Sequence, residues 1–264
     1  MKRLAVTVAF LAIFWAFCAP VRAENLDLPD EAPMPAERPL DAPRRESDPQ
    51  PRAPKLVAIP QEDADAAAKL CAAVLAKDKL VAAPAEAAMW DNGCGAAGQI
   101  KISAIKRKDG KDITLRPAAL IRCETAEAVA DWIRDEVVPA TETYSGLSRV
   151  EVAASYHCRP RNNIRGARMS EHGRANAIDI RAIVMNDGRR FGVDLQETPL
   201  QLLYDLRRGA CAHFTTVLGP GSDGYHENHF HLDLAQRRNG YRICQWNVPA
   251  PPVPAPNPLR VRYP

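Results

Sequence analysis

The chain reads as an α+β domain, a mainly antiparallel sheet flanked by helices, set between Pro-rich ends. Three observations predict this. Two Asp-Gly turns lie between strand-like runs, three stretches read as helical, and hairpins outnumber strand–helix–strand crossovers. Asp63 to Leu75 forms an Ala-rich helix. Gln99 to Ile105 and Asp112 to Leu115 form a hairpin around Lys108-Asp109-Gly110-Lys111. Thr125 is placed to cap a helix whose Val129, Trp132, Ile133 and Val137 share a face, and Pro139 is placed to close it. Val150 to Tyr156 is an apolar strand, and Ala177 to Met185 pairs with Arg190 to Val193 across Asn186-Asp187-Gly188. Leu200 to Leu206 is helical and stops at Gly209, while Phe214 to Leu218 and Phe230 to Leu234 are further strands.

The ends differ in kind. Lys2 and Arg3 precede an apolar run from Leu4 to Cys18, and Val21-Arg22-Ala23 supplies a small residue for cleavage. Residues 1–23 therefore read as an export signal. Its apolar run of about 15 residues is shorter than the ~20 that a membrane span requires. The expected location is periplasmic or secreted, with no stable membrane insertion after cleavage. Residues 24–61 are dense in Pro, Ala and charge, with too little apolar surface to offset chain entropy, and read as a disordered linker. Residues 248–264 repeat that composition as a tail, which leaves 62–247 as the folded unit.

Cys18 leaves with the signal. Cys71, Cys94, Cys123, Cys158, Cys211 and Cys244 remain, an even set with no CxxC pair in an oxidising compartment. Three disulfides fit, in any of about 15 connectivities. The formal charge of +3, with scattered arginines, gives no case for nucleic acid but suits an anionic polymer such as the cell wall.

Six histidines occur, and three crowd into His226-Glu-Asn-His229-Phe-His231. On a strand, His229 and His231 project from one face and Phe230 from the other. Two imidazoles side by side suit a metal ligand next to a general base, where an isolated HxH would read as a surface cluster. A second group is Ser170-Glu-His172-Gly-Arg-Ala-Asn-Ala177-Ile-Asp179. Asp179 lies between Ile178 and Ile180 at the start of an apolar strand, where a carboxylate is costly unless paired or metal-bound. Together the segments offer two His and one Asp with a fourth position open, as in catalytic zinc sites.

These residues carry a resemblance. Ser170, His172, Ala177 and Asp179, with His229 and His231 downstream, resemble the S-x-H-x-x-G-x-A-x-D and H-x-H motifs of the lysostaphin, D-Ala-D-Ala metallopeptidase and hedgehog group. HENHFH is similar to the corresponding run of the penicillin-insensitive murein endopeptidases. A closer likeness is to the bacterial extensin-like C-terminal domain family, through Ala154-Ser155-Tyr156-His-Cys158-Arg159, the two segments above, and Thr216-Val-Leu-Gly-Pro-Gly-Ser-Asp223. It covers roughly residues 68 to 247. The resemblance implies Zn2+ held by His172, Asp179 and His231, with His229 as base or transition-state stabiliser and His226 as a further site histidine. It also implies Ser170 as an orienting residue, and Tyr156 and Arg159 as substrate contacts. His157 and His213 match no ligand position.

One departure stands in the motif: its Gly is Ala175 here, strained if that position needs positive φ and acceptable if it needs only smallness. The implied activity is hydrolysis of an amide bond in peptidoglycan stem peptides or cross-links, by a D,D- or L,D-peptidase. The alternative is a non-catalytic, zinc-stabilised module that binds the cell wall.

Overall fold

The computed structural model describes residues 52–193 and 198–252. The expected signal, the linker up to residue 51 and the tail beyond residue 252 lie outside the described residues. Ordered structure begins before residue 62. Strand β1 (Leu56–Val57) pairs with β3 (Ala88–Trp90), which pairs in turn with β4 (Gly95–Ala96). The last residues of the expected linker thus belong to the folded unit, because their backbone finds a ladder. Helix α1 (Gln61–Ala76) follows, then β2 (Leu80–Pro84).

Among the described residues the main sheet has nine strands. Its remaining members are β5 (Gln99–Lys106), β6 (Asp112–Arg122), β7 (Leu147–Ala154), β8 (Ala177–Met185), β9 (Arg190–Gly192), β10 (Thr216–Leu218), β11 (Phe230–Asp233) and β12 (Ile243–Gln245). The order is β12-β10-β11-β8-β7-β6-β5-β2, with β9 beside β8. Among the described residues only β6–β7 and β10–β12 pair in parallel, so the sheet is mainly antiparallel as expected. β6 runs on past Leu115 because its register against β5 shifts there, and Pro117 sits where no ladder N–H is required.

Helix α2 (Cys123–Trp132) begins two residues before Thr125, whose hydroxyl instead donates to Asn176 Oδ1 at 3.0 Å in the interior. The expected face holds: Val129, Trp132, Ile133 and Val137 are all fully buried. Pro139 does not stop the helix. A π turn (Ile133–Val137) widens the chain, and Pro139 then falls in the first turn of α3 (Val138–Thr141), where its missing N–H is tolerated. Trp132 meets Phe214 and Phe230 edge-on at 6.3 and 5.7 Å, and Phe230 stacks on Trp246 at 4.8 Å. These rings fill the space between α2 and the sheet.

Helix α4 runs from Leu200 to His213 and passes through Gly209 rather than stopping there. The glycine serves close approach, since a Cβ at 209 would lie 2.6 Å from Glu136 Cβ. Gly209→Ala should therefore lower stability by about 1–2 kcal/mol in chemical denaturation, although alanine is the better helix former. A gain in stability would show that α4 moves freely away from Glu136.

Three disulfides tie the fold: Cys71–Cys123, Cys94–Cys158 and Cys211–Cys244. The first links α1 to the start of α2, and the third links α4 to β12. Among the described residues no helix is long and apolar enough to cross a membrane.

Candidate metal centre

Strands β8 and β11 run antiparallel with His231 directly opposite Asp179 and Phe230 opposite Ile180. Strand alternation sends Ile178, Ile180, Phe230 and Leu232 into the core and leaves Asp179, His231 and Asp233 on the other face. His172 arrives from the 3-10 turn His172–Arg174 that precedes β8. His172 Nε2 lies 3.1 Å from Asp179 Oδ1 and 3.1 Å from His231 Nδ1, and His231 Nδ1 lies 2.9 Å from the same Asp179 oxygen. All three residues are buried, at 2%, 3% and 7% exposure respectively for His172, Asp179 and His231.

The outer nitrogens fix the tautomers. His172 Nδ1 donates to the Ser155 carbonyl at 2.7 Å, so its Nε2 lone pair faces inward. His231 Nε2 donates to Asp233 Oδ2 at 2.9 Å, so its Nδ1 lone pair does the same. With both rings neutral, three lone-pair groups converge with no donor between them, so the site calls for a cation, or for a proton that turns an inward nitrogen into a donor to Asp179. Burial opposes charge on Asp179, yet the hydrogen bonds and charges of His172 and His231 hold its carboxyl far below the usual range. Burial likewise opposes charge on His231, but Asp179 and Asp233 outweigh it and push the imidazole up to about 9. Ligands at 2.0–2.2 Å from a tetrahedral ion sit about 3.3–3.6 Å apart. The observed edges are only slightly tighter, so the three residues could hold one small divalent cation.

Asp233 is a partner that sequence reasoning missed. It accepts from His231, from Ala235 N–H at 2.9 Å and from the Thr216 hydroxyl. Despite burial, the interactions with His231 and these bonds hold its carboxyl below the ordinary range. The spacing 229, 231, 233 on one strand face was the available signal. Ser170 accepts the His172 backbone N–H on its hydroxyl at 3.3 Å.

His229 sits at the rim. Its Nε2 is 3.6 Å from Asp179 Oδ2, and its Nδ1 donates to Asn228 Oδ1 at 2.9 Å. Partial burial, above all, pushes its pKa down and favours the neutral ring, against the pull of Asp179. His226 completes the group. Its ring lies 5.1 Å from that of His229 and 5.6 Å from that of His231, and its Nδ1 donates to Asp223 Oδ1 at 2.7 Å. Tyr156 and Arg159 are anchored by backbone rather than by the cluster. Tyr156 N–H donates to Leu120 O and its ring stacks on Trp90 at 6.5 Å, while the Arg159 carbonyl accepts Ser170 N–H. Among the described residues no hydrogen bond or ion pair joins either side chain to the His–Asp trio. The His157 side chain is exposed, though its backbone N–H donates to His172 O at 3.2 Å, and His213 ends α4.

The departure at Ala175 has a clear reading. Ala175 adopts φ 53°, ψ 24° and is fully buried, so the position uses both left-handed backbone and small size. Left-handed backbone costs an L-residue about 1–2 kcal/mol. Ala175→Gly should accordingly raise stability by about 1 kcal/mol, seen as a melting temperature about 2–4 °C higher. An unchanged or lower value would show that the turn carries no strain.

Searches of characterised proteins and of solved structures returned no match. The model of the family described as "Extensin-like protein C-terminus" matches residues 69–245, a span that takes in the second half of α1, the later helices, the main sheet and the whole His–Asp cluster. The chain therefore belongs to the extensin-like protein C-terminus family.

Proposed function

We propose that this is an exported zinc metallopeptidase that hydrolyses an amide bond in the stem peptides or cross-links of peptidoglycan. The observation that carries this reading is the convergence of His172, Asp179 and His231 on one buried point with their lone pairs turned inward. The three disulfides and the leader-like start support export. Resemblance to the zinc peptidase group supports the reaction class.

When bound, zinc supplies Lewis acidity toward a substrate carbonyl and toward water. The chain does the rest. Ser155 and Asp233 hold the two ligand imidazoles in the tautomers that leave the inward nitrogens free, as outer partners of metal-binding histidines do. Asn228 does the same for His229, whose Nε2 is left as an acceptor at the rim, placed to take a proton from the attacking water. His229 then returns that proton to the leaving amine, and His226, oriented by Asp223, stands beside it with the two rings 5.1 Å apart. Tyr156 and Arg159 are assigned to substrate binding on the resemblance.

The test is digestion of purified sacculi by the zinc-loaded protein, with released muropeptides identified by mass spectrometry. New amine and carboxylate ends in the stem peptides are expected, and His229→Ala should abolish them while zinc is retained. Intact stem peptides with zinc bound would exclude catalysis, and wall binding without turnover would establish the binding-module alternative.

A further inference from the structure

Beside the His–Asp cluster lies a cavity of about 290 Å³ that the proposed chemistry does not use. Arg161, Arg168, Arg174 and Arg237 line it, against a single carboxylate, Glu171. Three separate segments bring these side chains together. Arg161 and Arg168 lie across a small loop closed by the Arg161 N–H bond to Arg168 O at 2.9 Å and by the Pro160–Met169 bridge. Arg174 comes from the turn that carries His172, and Arg237 from the chain just after β11.

Their commitments differ. Arg237 is held from behind, donating to Thr216 Oγ1 at 2.6 Å and to Thr215 O at 3.2 Å. Arg174 donates to Glu171 at 3.2 Å, and the other Glu171 oxygen is taken by Asn176 at 2.7 Å. Among the described residues the Arg161 and Arg168 side chains enter no hydrogen bond or ion pair. Arg161, Arg168 and Arg174 are exposed and Arg237 is half-buried, so the cavity is an open recess of four like charges whose mutual repulsion an anion entering from solvent would relieve. Guanidinium forks match the paired oxygens of carboxylate and phosphate. A volume near 290 Å³ exceeds what one small ion needs and suits an anionic group carried on a larger molecule.

We infer that this arginine-lined cavity is a binding site for an oxyanion, a carboxylate or phosphate group, with Arg161 and Arg168 as its free donors and Arg237 as its fixed one. Arg237 also connects the cavity to the cluster, through Thr216 and Asp233 to His231. The inference does not depend on zinc or on peptidase activity.

Calorimetric titration of the full chain at low ionic strength tests it, with inorganic phosphate in one arm and succinate in the other. The comparison is with the Arg161→Ala/Arg168→Ala double variant. Both proteins keep the His–Asp trio, so any anion binding there is common to both and drops out. Saturable binding is expected for the wild type and at least about tenfold weaker binding for the variant, with an unchanged melting temperature because neither guanidinium has an internal partner. Tighter binding of phosphate would assign the site to phosphate groups, and tighter binding of succinate to carboxylates. No saturable heat with either anion, or equal affinity in the two proteins, would overturn the inference.

Discussion

His231→Ala should remove zinc from the protein and lower turnover of stem peptides by at least about a thousandfold, on the order of 4 kcal/mol in the barrier. The size follows from where His231 stands. It lies opposite Asp179 in the sheet, 3.1 Å from His172, and it is anchored by Asp233 on its far side. Truncating it leaves two ligands, too few for a tight site, and strands two buried carboxylates without their shared partner. Asp233→Asn is the finer variant. It keeps the shape but weakens the anchoring of the imidazole, so zinc affinity should fall by about 10- to 100-fold, with the ligands themselves unchanged. Equilibrium dialysis against a zinc-buffering chelator gives both affinities. Wild-type affinity in His231→Ala would show that the metal, if bound, sits elsewhere.

The second large effect concerns the Cys94–Cys158 disulfide, which closes a separation of 64 residues with Cα atoms 5.5 Å apart. In the chain-entropy account a loop of that length contributes about 4 kcal/mol. The Cys94→Ala/Cys158→Ala variant should lose stability of that order and melt at least about 8 °C lower. It should also lose zinc affinity. Cys158 begins the segment that leads through Arg159 and Ser170 to His172, and Cys94 packs beside Met169 behind the same turn. A drop in melting temperature with unchanged zinc affinity would show that the turn holds its ligand without this tie.

Much of the core was legible because it follows strict periods. The α2 face at Val129, Trp132, Ile133 and Val137 and the run Ala177–Met185 lie where their patterns put them. Departures came where a residue has a tertiary task that overrides its local preference. Gly209 lets α4 approach Glu136, Thr125 bonds Asn176 instead of capping a helix, and Ser155 leaves the strand to hold His172. Strands β1 to β4 escaped notice because runs of only two to five residues carry no periodic signal.

The site divided in the same way. His172, Asp179 and His231 were each conspicuous in the chain, and the fold brings them together across 52 and 59 residues of sequence. Asp233 and Asn228 were not marked, since their contribution is to orient a neighbouring imidazole, which appears only when the partners' nitrogens can be seen. Arg159 is tied to the site segment by its carbonyl, which accepts Ser170 N–H, whereas the Tyr156 N–H donates to Leu120 O outside the cluster.

The central claim is that His172, Asp179 and His231 hold one zinc ion. Anomalous diffraction at the zinc edge from crystals of the zinc-loaded protein tests it most directly. The account predicts a single strong peak about 2.0–2.2 Å from His172 Nε2, Asp179 Oδ1 and His231 Nδ1 together. No peak at that point, or a peak bound by other residues while the trio stays hydrogen-bonded to itself, would contradict it.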